Sequence, residues 1–362
     1  MRVCLFHTSL PEPGRKPGGV DVLVHRTANA LVDAGATVIV ASASLRPADA
    51  RYEHRQIMSE RLAHSALGRT FLVPLLLNWA MPRDVDVVHL HGDDWFYVRR
   101  QRPTVRTFHG TAWMEARYAV RARKRLRMLI VAALEQISSR LAGLSYRLGT
   151  ERLGDIGRSG QLPVGVDTIE EDVDKSVRPT VLFVGTWAGR KRGWLVHRAF
   201  VSGVRGSIPD ARLVMVADAA PAEPDVELVR APDHEHLRHL YAEAWVVCLP
   251  SSYEGFGMPY LEALAAGTVA VATPNPGADY VLDGGRYGPI VLPRDLGSTL
   301  RTILSDATLR NSMARVGRNR AAEFAWPIVA EMHLVAYRRA AAASQHPLES
   351  AVMSASSGDD RS

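Results

Sequence analysis

Cysteine and lysine are both scarce in this chain: two of the first and four of the second among 362 residues, against forty arginines. Two cysteines cannot build a disulfide framework or a thiolate metal site. Cys4 and Cys248 each sit inside an apolar strand in a different half of the chain, and read as buried free thiols of a reducing cytoplasm. Long apolar runs are missing too. The longest uncharged one, Phe71 to Met81, contains Pro74 and Asn78 and is too short to cross a bilayer, so a buried helix or loop is expected there. Met1 runs directly into a strand-like VCLFH, so no secretory leader is expected. The small polar residues from 344 to 362 are expected to be disordered.

Metal-type spacings are lacking as well, so no metal site is expected. Asp84-Val-Asp86 precedes a strand, where a metal pair would follow one, and reads as a solvated turn. His89 and His91 alternate along one strand and are expected to face opposite sides, unable to chelate together. His234, His236 and His239 surround a helix start as a surface cluster. Gly255-Phe-Gly257 has Tyr260 where a dinucleotide fingerprint needs its third glycine, which argues against NAD. The net charge of +6 admits nucleic acid, membrane surface or anionic ligands as partners. The basic stretch Arg117 to Arg127 lacks the aromatic interleaving that stacks bases, so nucleic acid is not expected. Two readings of that stretch stay open: a solvated helical face, and an electrostatic platform for an anionic acceptor or lipid surface. The shortage of lysine points to a GC-rich genome, which makes each lysine that is kept more informative.

What the chain has is alternation. Arg2 to His7 reads as a strand, Val20 to Ala34 as a helix with Leu23, Thr27, Ala30, Leu31 and Ala34 on one stripe, and Gly35 as its stop. Thr37 to Ser42, Val85 to His91 and Val105 to His109 read as further strands, and Arg117 to Ala142 as one long helix. After a connector, Leu162 to Asp167, the pattern restarts: strands at Thr180 to Gly185, Ala211 to Ala217, Trp245 to Pro250 and Thr268 to Thr273, with helices at Trp194 to Val204, His234 to Ala244, Leu296 to Phe324 and Pro327 to Ala343. Strands alternating with helices predict parallel sheets covered on both faces, here two doubly wound α/β domains in tandem, with ligand at the carboxyl ends of strands in a cleft between them.

Three segments carry chemistry. In Pro250 to Gly267 (PSSYEGFGMPYLEALAAG), Glu254 and Glu262 lie eight positions apart, around Gly255 and Gly257. Pro259 suits the first helical position and Met258 before it offers no capping oxygen, so the helix is expected to start with free amide donors that an anion could fill. Glu262 is placed in the first helical turn. In Phe183 to Gly193 a strand ends in a cationic group, Arg190, Lys191 and Arg192, suited to a diphosphate; a compact ammonium is expected to matter at Lys191. Gly18-Gly19 precede the first helix and let backbone approach a ligand closely.

These residues resemble a known family, the retaining GT-B glycosyltransferases of the family 4, group 1 type. Glu254-Gly-Phe-Gly with Glu262 resembles its E-x7-E motif, LPVGVD its interdomain segment, VGTWAGRKRG its phosphate-binding segment and PGGVDV its N-terminal glycine loop. VDVVHLHGDDW and RTFHG resemble the strand ends lining its acceptor cleft, and FAWPIVAEMHLVAYRRA its closing helix. The resemblance implies two Rossmann-like domains, an acceptor-side one over 1–166 and a nucleotide-sugar one over 167–325, with a closing helix at 326–343. It implies that Glu262 binds the ribose, that Glu254 with the amides of Gly255, Phe256, Gly257 and Met258 holds the sugar hydroxyls, and that Lys191 and Arg190 bind the diphosphate. Gly18 and Gly19 would bring a backbone amide near the phosphate, and His109 would stand beside the anomeric centre. Asp93, Asp94, Trp113 and Glu115 are placed as acceptor contacts. The chain departs from the family at Val164, where Asn is usual, and in Pro274 to Gly288, which lacks the common GGxxE.

The resemblance implies a cytoplasmic hexosyltransferase, at most peripheral at the inner face of a membrane. It would retain anomeric configuration and take a nucleotide sugar without cofactor or essential metal, UDP-linked before GDP-linked. Its acceptor could be a glycolipid, a polysaccharide or a natural product. Two alternatives stand beside it: a GT-B nucleotide-sugar epimerase or hydrolase that needs no acceptor, and a non-enzymatic basic α/β protein that binds nucleic acid or membrane through Arg117 to Arg127.

Overall fold

A computed structural model describes residues 1–12, 18–61, 65, 67–117, 119, 121–150, 153–168 and 173–345. Part of the glycine loop, 13–17, and most of the expected tail, 346–362, lie outside them. The chain forms two compact units. One is built from Met1–Leu148, Arg152–Gly165 and the chain from Trp326, the other from Gly149–Glu151 and Val166–Ala325.

The first unit holds a six-stranded parallel sheet in the order β3-β2-β1-β4-β5-β6. Its strands are β1 Arg2–Phe6, β2 Thr37–Ser42, β3 Glu53–Gln56, β4 Val87–Leu90, β5 Thr104–Phe108 and β6 Leu144–Arg147. All but the edge strand β3 are largely buried, as expected of a sheet covered on both faces. Helix α1, Gly19–Asp33, packs on α11, Trp326–Gln345, and both close over a core that includes Val3, Leu5, Val24, Leu31, Leu334 and Tyr337. Helix α2, Val73–Ala80, follows a π-helical turn, Gly68–Leu72. This corrects the expectation of a buried segment at Phe71 to Met81: Val73 and Leu77 enter the core, while Phe71, Leu72, Leu75 and Trp79 are exposed. An α-helix turns alternate faces outward, so a continuous apolar run on a surface helix cannot all be buried. The basic stretch is also not one helix, since α3, Ala112–Arg117, and α4, Ala122–Leu141, are separate.

The second unit holds a five-stranded parallel sheet in the order β11-β10-β7-β8-β9. Its strands are β7 Thr180–Val184, β8 Arg212–Val216, β9 Val226–Val229, β10 Val246–Leu249 and β11 Val269–Ala272. Its helices are α5 Gly193–Phe200, α6 His234–Glu243, α7 Met258–Ala265, α8 Pro276–Val281, α9 Leu296–Ser305 and α10 Ala307–Ala322. In both sheets the order reverses beside the first strand of the unit, between β1 and β4 and between β7 and β10. Helices leaving such a point diverge to opposite faces and open a crevice at the carboxyl ends of the strands, the usual ligand position in open α/β sheets. Cys4 and Cys248 are buried free thiols, both pushed up to about 12 by burial. Among the described residues no helix is long and apolar enough to cross a membrane.

Candidate functional site

The loops after β7 and β10 flank the reversal of the second sheet and carry the charged residues singled out in the sequence. Glu254, almost fully buried, is clamped by two cations: Lys191 Nζ stands 2.6 Å from Oε1 and Arg190 Nη1 2.8 Å from Oε2. Burial alone would raise the Glu254 carboxyl, but Lys191 and then Arg190 overcome it and hold its pKa below the usual range. Arg190 also donates to the Tyr253 carbonyl, and Ser252 N–H donates to the Arg190 carbonyl. Arg192 plays a different part from its two neighbours. Its backbone is left-handed (φ 54°), and its guanidinium donates to the Pro250 carbonyl and the Thr273 hydroxyl. It ties the β7 loop to the ends of β10 and β11.

Helix α7 starts at Met258 with Gly257 as its N-cap (φ 97°), and no side chain caps it. The expected uncapped start is present, one residue earlier than expected: Met258 is helical and Pro259 second. As a result Glu262 is the fifth helical residue and not in the first turn. Its charge lies beside the Tyr241 hydroxyl, which burial and then Glu262 push well above the ordinary phenol range. Phe256 is buried against Tyr280 and Phe324, so only its backbone remains for a ligand. The divergent segment after β11 forms α8, capped by Asn275, whose side chain accepts from Ala278 N–H and donates to Tyr260. Gly277 on that helix lies against Glu254: a Cβ there would stand 2.7 Å from the glutamate Cβ and 2.8 Å from its carbonyl oxygen. Sequence reading missed Gly277 and Tyr241, and grouped Arg192 with the diphosphate cations where it ties loops together, because what marks them is contact between separate segments.

In the first unit Gly18 is the N-cap of α1, and its N–H donates to Asp21 Oδ2. Among the described residues nothing lies within 4 Å of a Cβ placed at Gly19, so their packing does not require glycine there. At the reversal of this sheet stands a histidine group. His7 Nε2 meets Asp21 Oδ1 at 3.0 Å, and His91 Nδ1 meets His109 Nε2 at 3.0 Å. His89 is held by Tyr337 and Thr107, and His333 by the Pro163 carbonyl. The rings of His89 and His91 are 4.0 Å apart, centre to centre. This corrects the expectation of opposite faces, since residues two apart on a strand share a face. No group of three or more metal-type donors placed to hold a metal ion occurs among the described residues. Burial lowers the pKa of His89, His91 and His109 well below the ordinary value and keeps all three neutral. His7 Nδ1, His91 Nε2 and His109 Nδ1 are buried without a hydrogen-bond partner among the described residues.

The four expected acceptor residues separate. Trp113 and Glu115 are exposed on α3, the latter 4.0 Å from Lys124. Asp93 (φ 50°) accepts from Thr8 and pairs with Arg69. Asp94 is fully buried between Arg100, Arg106 and Ser138. That closed ion network corrects the placing of Asp94 as an acceptor contact, because both its oxygens are spent inside the unit. Asp84 and Asp86 are exposed in bends before β4, as expected of a solvated turn; Asp84 pairs with Arg2 and Arg55 at the surface, and Asp86 accepts from the Arg2 N–H.

Residues 17–143 match the family described as Glycosyltransferase Family 4, and residues 178–306 the one described as Glycosyl transferases group 1. The chain belongs to the glycosyltransferases of the family 4, group 1 type. A phosphatidyl-myo-inositol mannosyltransferase of Mycobacterium leprae is 26% identical over 294 residues, which span 73% of this chain and 76% of the relative. A GDP-mannose:cellobiosyl-diphosphopolyprenol alpha-mannosyltransferase of Xanthomonas oryzae is 28% identical over 254 residues, 62% of this chain and 64% of the relative. Among solved structures, HepE of Anabaena in complex with UDP and glucose matches with a TM-score of 0.68 at 16% identity, covering 94% of this chain and all of the other. That likeness, with the two doubly wound sheets, establishes the GT-B fold.

Proposed function

We propose that this glycosyltransferase moves a hexose from a UDP-linked donor to an acceptor hydroxyl, with retention of anomeric configuration. The observation that carries the reading is the clamp of Lys191 and Arg190 on ionised Glu254 at the sheet reversal, beside the uncapped start of α7. A diphosphate arriving there would share both cations and find the amides of Gly255 to Met258. Glu254 would then turn its oxygens to the sugar hydroxyls, and Glu262 would hold the ribose. His109, neutral through burial, would serve near the anomeric carbon as a hydrogen-bonding group and not as a charge.

In this scheme the departing nucleotide diphosphate is stabilised by Lys191 and Arg190, so no carboxylate nucleophile and no metal are needed. Losing one such charge contact costs about 2–4 kcal/mol, roughly a hundredfold or more in rate. The two relatives are named for mannosyl transfer to lipid-linked acceptors. The exposed Leu126, Leu129 and Ile130 among the arginines of α4 suit contact with an anionic membrane surface that could present such an acceptor.

Calorimetry with UDP and GDP on the parent, Glu262→Gln and Lys191→Ala tests the site. Both variants should bind UDP at least about tenfold more weakly, and unchanged affinity in both would refute it. The Xanthomonas relative's donor makes GDP the arm that decides the nucleobase. Turnover that persists in EDTA, and that requires an added acceptor, separates this reading from a metal-dependent transferase and from an epimerase or hydrolase.

A further inference from the structure

The amino-terminal ends of the second sheet carry a cavity of about 390 Å³. It lies where the chain enters β7, β10 and β11, beside Lys175, Trp245 and Gly267, and is walled by α10. The crevice at the sheet reversal opens at the other ends of these same strands, so the two sites are separated by the length of the sheet. Four cations line the cavity, Lys175, Arg310, Arg315 and Arg318, together with Asn311 and Asn319, and none of its lining residues is Asp or Glu. The α10 contribution follows a period of four: 310, 314 and 318 on one row, 311, 315 and 319 on the next. One helical face therefore presents arginine and asparagine in register.

Arg310 and Lys175 are held in place by hydrogen bonds to the protein. The Arg310 guanidinium stacks 4.1 Å over the Trp245 ring and donates to the Ile303 and Leu304 carbonyls. Arg318 lies across Gly267 (φ 65°), where any side chain would collide with its guanidinium. Lys175 Nζ donates to the Ala242 carbonyl and the Thr268 hydroxyl at 2.7 and 2.6 Å. Burial, then the nearby charges of Arg318 and Arg310, bring the Lys175 ammonium down to about 8. The acid acting on Arg310 is Asp306, one turn earlier on the chain. Like charges gathered in a concavity with donors and no lining carboxylate make a field that an anion would neutralise. Guanidinium forks and amides match phosphate oxygens, and the volume lies within the size range of small-molecule pockets.

We propose that this cavity is a second ligand site, specific for a small phosphorylated metabolite and separate from the transferase crevice. The test is calorimetry at about 0.15 M salt with inorganic phosphate, pyrophosphate and a hexose monophosphate as probes. It uses the parent, the double variant Arg315→Ser/Arg318→Ser, and Arg190→Ser/Lys191→Ala, which disables the crevice. Arg315 and Arg318 are exposed, so their removal should leave folding intact, which the thermal midpoint checks. Saturable binding of one equivalent should persist in Arg190→Ser/Lys191→Ala and weaken at least about tenfold in Arg315→Ser/Arg318→Ser. Tightest binding of the hexose monophosphate supports the proposal, while equal binding of all three probes overturns it. Unsaturable binding, or binding unchanged in Arg315→Ser/Arg318→Ser, overturns it. So does an equal loss on Arg301→Ser, a control on α9.

Discussion

Lys191 and Glu254, sixty-three positions apart in the chain, share a 2.6 Å ion pair that joins the loop after β7 to the loop after β10. Lys191 is one of only four lysines, and a Cβ at the neighbouring Gly185 would stand 3.0 Å from its Cβ. The stem is therefore held tightly, and the ammonium reaches the carboxylate with little freedom. Removing Lys191 leaves a buried carboxylate with Arg190 alone, whose side chain is 42% exposed. In a double-mutant cycle, Lys191→Ala and Glu254→Gln should be strongly non-additive in thermal stability, with a coupling of about 0.5–3 kcal/mol. Additive effects would show that the pair carries no energy.

Gly277→Ala should act on Glu254 without touching a charge. The added methyl must push against the glutamate Cβ and the Phe256 carbonyl carbon, both within 2.9 Å of it. Displacement of a binding group by a fraction of an ångström is expected to lower kcat/KM by about ten- to a hundredfold, with the fold intact by circular dichroism. Parent-level turnover would mean that the position of Glu254 does not matter to the reaction.

Asp94→Asn should be a stability mutation. It removes the charge that Arg100 and Arg106 face inside the first unit, where their side chains are only 9% and 4% exposed. Breaking a buried pair by deleting one partner costs about 3–5 kcal/mol. A large fall in the urea midpoint with an unchanged acceptor KM at low temperature fits this role. The reverse pattern would restore Asp94 to the acceptor site.

The histidine group should make stability depend on pH in a definite direction. Burial lowers His333 to about 4, with the Pro163 carbonyl opposing, and the unfolded value is about 6.5. Between those values the unfolded chain binds a proton that the native chain refuses, so stability falls as pH falls through that window. His89, His91 and His109 are shifted in the same direction and add to the slope. The urea midpoint should decline from pH 7 to 5, and less steeply in His333→Gln. A flat profile would mean that these rings titrate normally.

The sequence shows the alternation of elements and the E-x7-E segment because both are local. Apolar strands of four to six residues with helices between them announce a parallel sheet, and Glu254 and Glu262 are separated by one loop and one helical turn. Sequence reading missed β3, Glu53–Gln56, because EHRQ has no apolar alternation and pairs only at an edge. It misjudged α7 by one residue because a left-handed Gly257 can cap a helix without a side-chain oxygen. The histidine group draws on residues 7, 89, 91, 109 and 333, and only the fold brings such distant positions together. Asp94 was misread for the same reason, since Arg100, Arg106 and Ser138 give no local sign that they will enclose it.

The contact between Tyr337 and His89 spans 248 positions and lies in the interior of the first unit. During synthesis, then, the half of the protein that begins first is completed last. The sheet of the first unit leaves the ribosome early, but Ala330, Leu334, Tyr337 and Ala340 must still be translated before its core is closed. The second unit, nearly continuous in the chain, has all its strands and helices available by Ala325. The order of folding therefore runs against the order of translation, and the nascent first unit needs protection for the time taken to make the entire second one.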